Sequence, residues 1–558
     1  MNKNKHLLLW SSLGVLLLLV VAAVRENFLR QWRQIQAAVR TDAGPLPPRL
    51  RQIVAPKLGV TDRCVTCHVG MSPGEQGATG HPAAAAHPPI PHDVGQFGCT
   101  VCHGGQGRAT DMADAHGDVH FWPEPMIPRE YAYAGCGSCH THIRVPNETE
   151  LARGRNLVEQ YDCLACHRFE GRGGTLRPGG EGGMEGPDLS KIGAAGFGPW
   201  YERHLEKAKK AESGVWKTNF GPIGEQDRAT IEGYLHSRVG APRLVEAKSL
   251  FHSLGCRGCH KVGGVGGDDG PDLTLTGQKD PARVDFSRVT GEHILANWHR
   301  QHLQNPAQVV VDSKMPKFPL TEKQLDLLTL YLLSLRRSEV PEAFWPRDRV
   351  RAERLGEREF GTDGGTLFGT FCAACHGTTG QGMRLAGQPP FPAVANPDFL
   401  AAASDDFLRQ TIHRGRPGRR MPAWGEKEGG LRVEEIDAIV AWLRRKAPGA
   451  NAPGSANAPG PAHAERRWVK ADPQAGQQIY TNLCVTCHGA KGEGPDAPAL
   501  ANPALQAAAS DDYFFETIRR GRHGTAMNGF GRPSPAYPTL SPSDIESLVA
   551  YLRTWEKQ

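Results

Sequence analysis

All fourteen cysteines of the 558-residue chain fall in Cys-x-x-Cys-His pentads. The seven pentads run from Cys64 through Cys67 to His68, Cys99 through Cys102 to His103, Cys136 through Cys139 to His140, Cys163 through Cys166 to His167, Cys256 through Cys259 to His260, Cys372 through Cys375 to His376, and Cys484 through Cys487 to His488. This spacing suits covalent attachment of haem c: each thiol adds to one porphyrin vinyl group as a thioether, both sulfurs lie under one edge of the macrocycle, and the adjacent histidine reaches the iron. A lone Cys-x-x-Cys reads equally as a redox dithiol or half a zinc site. Seven copies, each followed by His and with no cysteine left over, displace that reading. Seven covalently bound haems are therefore expected.

The second axial ligand sets the potential, since a Met/His pair raises it relative to bis-His. Met315 (Lys314-Met315-Pro316), Met421 (Arg420-Met421-Pro422) and Met527 (Ala526-Met527-Asn528) hold equivalent places after the fifth, sixth and seventh pentads and are the expected distal ligands there. Met383, in a Gly-rich loop, reads as a bystander. The fourth pentad departs from this pattern: aligning Glu225 on Glu322 puts Thr218 where the methionine would stand. Its sixth ligand is His204 first, then His236 or Met184, or the iron is open, which would make this the one place with room for catalysis. Around the first three pentads His92 and His116 are the first choices for distal ligands, and His81, His87, His120 and His142 compete for the third place. Arg414, Arg416, Arg519 and Arg522 read either as solvated charges or as partners of haem propionates.

The elements that must position these groups follow from the spacing of the pentads. The first three begin about 36 residues apart, too little chain for a globular core each, so residues 41–150 are expected to wrap three stacked haems with little secondary structure. The last four begin far enough apart for a small helical domain each: 151–242, 243–345, 346–447 and 466–558, with 448–465, rich in Ala, Pro, Gly and Asn, as a flexible tether that would let the last domain swing. Repeats agree with this division. Gly186-Pro-Asp-Leu matches Gly270-Pro-Asp-Leu; Asn396-Pro397, Ser404-Asp-Asp and Ile412-His-Arg-Gly-Arg recur 106 residues on as Asn502-Pro503, Ser510-Asp-Asp and Ile518-Arg-Arg-Gly-Arg. Each repeat ends in an amphipathic segment, expected to pack on the helix that precedes its pentad. The fold class is mainly α.

Gly (66) and Pro (43) are abundant and aromatics are only 7%, which suits short helices whose cores are filled partly by something other than side chains. The net charge of +6 is spread thinly, with no basic tract suited to nucleic acid. Leu7 to Val24 carries no charge and just meets the length needed to span a bilayer. Residues 1–40 are read as an uncleaved anchor with a juxtamembrane helix showing Phe28, Trp32 and Ile35 on one face; a cleaved signal peptide is the rival. Arg25, Arg30, Arg33 and Arg40 outnumber Lys3 and Lys5, so the positive-inside rule alone would orient the chain the other way.

The seven pentads resemble those of multihaem cytochromes c. The four C-terminal stretches look like class I cytochrome c domains, and Phe97-Gly-Cys-Thr-Val-Cys-His followed by Ala115-His-Gly is similar to trihaem cytochromes of the c3/c7 type. The resemblance implies haem attachment outside the cytoplasm, hence haem domains facing the periplasm from a single-pass inner-membrane anchor. Anchored chains of this mixed kind resemble cytochrome c subunits of bacterial quinol-oxidising complexes that contain a cytochrome b. The function this implies is one-electron relay to a periplasmic acceptor such as a small cytochrome c or an oxidase. A stand-alone anchored shuttle and a haem enzyme acting at the fourth haem are the alternatives.

Overall fold

The computed structural model describes residues 2–41, 44–72, 77–173, 186–195, 201, 203–204, 223–336, 339–385, 390–446 and 465–557. The chain is mainly helical, with three two-stranded ladders among the described residues. Two compact units emerge: one comprises Met1–Thr141, Leu275–Arg300 and Leu332–Val350, the other His142–Thr274, Gln301–Tyr331 and Arg351–Gln558.

The first unit opens with α1 (Asn2–Phe28), whose apolar residues from Leu7 to Val24 are exposed, a helix long and apolar enough to cross a membrane. Helix α2 (Gln31–Ala38) follows after a break. Its inner face differs from the expected one: Trp32, Gln36 and Val39 are buried, whereas Phe28 is exposed. The break at Leu29–Arg30 restarts the helical phase, so Phe28 no longer shares a stripe with Trp32. Gln36 turns its amide inward. Its Oε1 accepts from Arg49 N at 2.9 Å and its Nε2 donates to the carbonyls of Arg49 (2.9 Å) and Thr66 (2.7 Å).

Beyond this, short turns dominate. A hairpin pairs Ile53–Ala55 with Val60–Asp62, and its last residue, Asp62, is buried and accepts from the backbone and hydroxyl of Thr100, each at 2.9 Å, and from Cys99 N. The apolar cluster here is small, formed by Val39, Leu46, Val69 and Ala84. The sequence-distant segments supply further cover: the Phe344 ring lies edge-on to Phe97 at 5.5 Å, and Gly137 abuts the backbone of Ser334 so closely that a Cβ would meet its carbonyl oxygen at 2.0 Å.

In the second unit the helix before a pentad crosses the terminal helix of its repeat. Helix α3 (Glu148–Gln160) packs on α4 (Glu225–His236), α6 (Gly364–Phe371) on α9 (Val433–Lys446), and α10 (Pro473–Leu483) on α13 (Pro542–Arg553). Between them in chain order stands α5 (Pro242–Ser253) before the fifth pentad, where Phe251 meets Tyr331 at 4.6 Å. The crossings are close because of glycine: a Cβ on Gly364 would sit 2.0 Å from the Ala438 carbonyl, and one on Gly476 1.9 Å from that of Ser547.

The repeated Asn-Pro and Ser-Asp-Asp signals are helix starts. Asn396 and Asn502 cap α7 (Pro397–Ala402) and α11 (Pro503–Ala508), with Pro at the first helical position; Ser404 and Ser510 cap α8 (Asp405–Arg414) and α12 (Asp511–Arg520), with two aspartates in the first turn. The last two repeats share one continuous core running from Phe360 to Trp555. They meet reciprocally: Asn396 Nδ2 donates to the His523 carbonyl at 2.8 Å, and the equivalent Asn502 Nδ2 to the Pro417 carbonyl at 2.8 Å. The expected swing of the last domain is thus corrected: buried apolar contact holds it against its neighbour. The tether itself falls almost wholly outside the described residues.

Candidate functional site

Each pentad is one tight turn. In all seven the histidine N–H donates to the carbonyl of the first cysteine, over 2.8–3.0 Å. Groups three and four residues apart share one face of such a turn, so both thiols and the imidazole project together.

The histidine rings of the last four pentads are oriented by a second bond. Nδ1 of His167, His260, His376 and His488 meets the carbonyl oxygen of Pro187 (2.9 Å), Pro271 (2.8 Å), Pro392 (2.9 Å) and Pro498 (3.0 Å). A proton on Nδ1 leaves Nε2 as the free base, the tautomer a metal requires. These prolines are functional residues that sequence reasoning missed, although Pro187 and Pro271 sit inside the Gly-Pro-Asp-Leu repeat it singled out. Gly186 and Gly270 stand beside the rings; a Cβ would come within 2.5 and 2.4 Å of His167 and His260. Burial pushes the pKa of His68, His103, His140, His260, His376 and His488 down, favouring the neutral ligand form.

Four pentad histidines face a second imidazole. Ring centroids lie 6.4 Å apart for His68 and His116, 6.0 Å for His103 and His87, 6.2 Å for His140 and His92, and 5.9 Å for His167 and His204. Two imidazoles bound to one ion from opposite sides, each at about 2.0–2.1 Å, place their centroids roughly 6 Å apart. Of the other candidates, His81 accepts from Ala83 N at 3.1 Å as a turn cap, His120 lies against Phe121 at 4.0 Å, and His142 lies 3.6 Å from Glu353. His236 lies 3.6 Å from Glu232, and burial, with Arg144 and Arg351 nearby, pushes its pKa down to about 4. Met184 and Thr218 lie outside the described residues.

Met421 and Met527 sit in matching loops, where Arg416 N donates to the Met421 carbonyl and Arg522 N to that of Met527, both at 2.8 Å. Met315 N donates to Ser313 Oγ at 3.3 Å, and Met383 pairs with Phe391 as an isolated bridge. Of the four arginines, Arg416 donates to Thr411 Oγ1 (2.7 Å), Arg519 to Glu516 (2.7 Å) and Arg522 to the Tyr513 hydroxyl (2.9 Å).

No two cysteines form a disulfide, and burial pushes most of the thiols up: Cys67, Cys136, Cys163 and Cys484 to about 11, Cys102, Cys256 and Cys372 to about 12. Cys64 and Cys259 go the other way, lowered by hydrogen bonds from Cys99 and Cys375. No cluster of three or more His, Cys, Asp or Glu suited to a metal ion occurs among the described residues. Two pairs of pentads approach thiol to thiol: Cys64 and Cys99 lie within hydrogen-bonding reach of each other, as do Cys259 and Cys375.

These residues fit haem c. The pentad geometry supplies both thioether positions and one nitrogen, the imidazole pairs lie at centroid separations that one shared ion allows, and the buried Nε of Arg522 has no acceptor among the described residues, a donor suited to a propionate.

Comparison with known proteins then bears on three stretches. Residues 244–336 and 473–556 match the family Cytochrome c, and residues 360–443 match Cytochrome C oxidase, cbb3-type, subunit III. The cbb3-type cytochrome c oxidase subunit FixP of Bradyrhizobium diazoefficiens is 29% identical over 201 residues, 34% of this chain and 59% of that protein. Subunit CcoP of Rhodobacter capsulatus is 27% identical over 203 residues, 34% of this chain and 61% of that protein. The chain thus spans less than two thirds of either relative. Among solved structures, thiosulfate dehydrogenase (TsdBA) from Marichromatium purpuratum aligns over 72% of this chain and 90% of its own at 18% identity, with a TM-score of 0.19.

Proposed function

We propose, from the premise that this chain is a multihaem cytochrome c working in electron transfer, that it is a membrane-anchored heptahaem relay passing electrons from a membrane donor to a periplasmic acceptor. The observation that carries this reading is the common spacing of four facing imidazole pairs, 5.9–6.4 Å between centroids.

Bound haem c supplies a one-electron iron couple. The chain's residues do the rest. The fourteen cysteines would hold seven macrocycles as thioethers, and each pentad histidine would offer one nitrogen to the iron. His116, His87 and His92 would be the second ligands paired with His68, His103 and His140, and His204 the one paired with His167. Met315, Met421 and Met527 would be those paired with His260, His376 and His488. Bis-His sites near the anchor lie lower in potential than Met/His sites, which directs electrons from the first pentads toward the seventh.

The anchor holds the chain at the inner membrane with its haem domains on the periplasmic side. As the cytochrome c subunit of a quinol-oxidising complex, it would receive electrons beside a cytochrome b. A second reading, an anchored carrier serving an oxidase, is favoured by relatives named as cbb3-type oxidase subunits. The enzyme reading needs an open iron at the fourth pentad, and His204 opposite His167 supports a closed one.

Intact mass of the holoprotein tests the core of the proposal: seven added haems are expected, and fewer would overturn the count. A redox titration should find three waves above the rest; Met-ligated sites titrating below bis-His sites would reverse the direction. Purification in mild detergent separates the two assemblies, a co-purifying cytochrome b supporting the first and an oxidase catalytic subunit the second.

A further inference from the structure

The fifth pentad contains an arginine, Arg257, whose side chain is wholly buried at 0% exposure. Its Nη1 donates to the carbonyls of Val262 (3.1 Å) and Val265 (3.2 Å), and its Nη2 donates to Glu359. Lys248 on α5, 4% exposed, donates to the other oxygen of Glu359 at 2.6 Å. Two interior cations therefore share one carboxylate. Burial alone would raise the Glu359 pKa, but Arg257 and Lys248 overcome it and hold the carboxyl well below its usual range. His252, also buried in this cluster, is kept neutral by burial and by the same two cations. Tyr331 faces Arg257 and is neutral as well, its pKa pushed up by burial. Arg358, next in the chain to Glu359, has its own partner in Glu435 at 2.7 Å. The cluster of Lys248, Arg257 and Glu359 is left with one net positive charge.

Its members come from two repeats. Lys248 and Arg257 flank the first cysteine of the fifth pentad, whereas Glu359 lies on the segment that leads into α6 and the sixth pentad. The two pentads lie back to back there. A Cβ on Gly258 would meet the Phe371 carbonyl at 3.0 Å, Arg420 Nε donates to Asp269 at 2.6 Å, and the Cys259 and Cys375 thiols are in reach of each other.

We propose that Glu359 is a positioning residue for the fifth pentad: it locks Arg257 in place and, by cancelling one of two buried cations, sets the reduction potential of the haem carried on Cys256 and Cys259. This rests on the haem attachment proposed above. Adding an electron to an iron beside a fixed positive charge is favoured, and in a dry interior the effect is far larger than at a surface. Packing of the sixth repeat on the fifth thereby tunes its neighbour. A cluster too distant or too well screened from the haem would leave the potential unmoved in both single variants.

The test uses full-length holoprotein in three variants, Lys248→Met, Glu359→Gln and the double variant, read by spectroelectrochemical titration. Lys248→Met leaves the Arg257–Glu359 pair neutral and should lower one wave. Glu359→Gln removes the negative charge that Arg257 and Lys248 share and should raise the same wave. The double variant restores one net positive charge and should return it close to the unsubstituted value. Each single change should alter the oxidised-to-reduced ratio at fixed poise at least tenfold, about 59 mV for a one-electron couple. Shifts of both single variants in the same direction, or no shift in Lys248→Met, would overturn the proposal. Should Glu359→Gln fail to accumulate, Lys248→Met alone decides. Mass analysis of the peptide holding Cys256 and Cys259 keeps the two claims apart: without haem on that peptide it is the attachment reading that falls.

Discussion

Phe407 and Tyr513, equivalent residues of two repeats, stack on each other with centroids 4.3 Å apart and planes inclined by 26°. Each follows a capping serine by three residues, Ser404 and Ser510. A self-complementary meeting of equivalent positions is the signature of a two-fold interface, realised here within one chain. The reciprocal bonds of Asn396 to the His523 carbonyl and Asn502 to the Pro417 carbonyl obey the same symmetry. This joins the sixth and seventh pentads into one body.

Truncating either ring should loosen that body. Phe407→Ala and Tyr513→Ala should each cost about 3–5 kcal/mol of stability, measured by urea unfolding. Their coupling in a double-mutant cycle should be about 0.5–1.5 kcal/mol. Strict additivity would mean that the rings do not act as a pair.

The His167–His204 pair predicts a closed fourth site. Reduced unsubstituted protein should show no carbon monoxide difference spectrum attributable to the fourth haem, and His204→Ala should create one. A carbon monoxide signal already present before substitution, and unchanged by it, would place the ligand elsewhere.

Gln36 ties the helix next to the anchor to the first pentad through the Thr66 carbonyl. Gln36→Leu strands that carbonyl and the Arg49 N–H in the interior, a loss of about 2–4 kcal/mol. The expected outcome is a lowered thermal midpoint together with a fraction of molecules one haem short by intact mass.

His236 gives a pH dependence with a definite sign. Its folded pKa of about 4 lies below the ordinary 6.5. Above pH 6.5 it is neutral in both states and contributes nothing. As pH falls from 6.5 toward 4 the unfolded chain takes up a proton that the folded one refuses, and stability declines by on the order of 1–3 kcal/mol. His236→Gln should flatten this stretch of the stability curve; a variant curve parallel to the original would remove His236 as its source.

Much of the site is written in local spacing. The pentads, their grouping as three and four, and the helix starts at Asn396, Ser404, Asn502 and Ser510 are legible because a thioether pair, a proximal ligand and a cap each depend on neighbours within a few residues. The apolar run of α1 is legible for the same reason. The inner face of α2 was not, because a break at Leu29–Arg30 reset the helical phase.

The sequence by itself determined the chemistry: which residues are suited to hold haem c, and that the first three pentads have too little chain between them for a core each. Only the tertiary structure decided which imidazole faces which, for His116 lies 48 residues after His68 while His87 and His92 precede His103 and His140. It also decided that Glu359 reaches back to Arg257 and that the last domain is docked rather than swinging. Such pairings join positions far apart in the chain, fixed by the path of the backbone and by the need to match buried charge and apolar area, and no local periodicity records them.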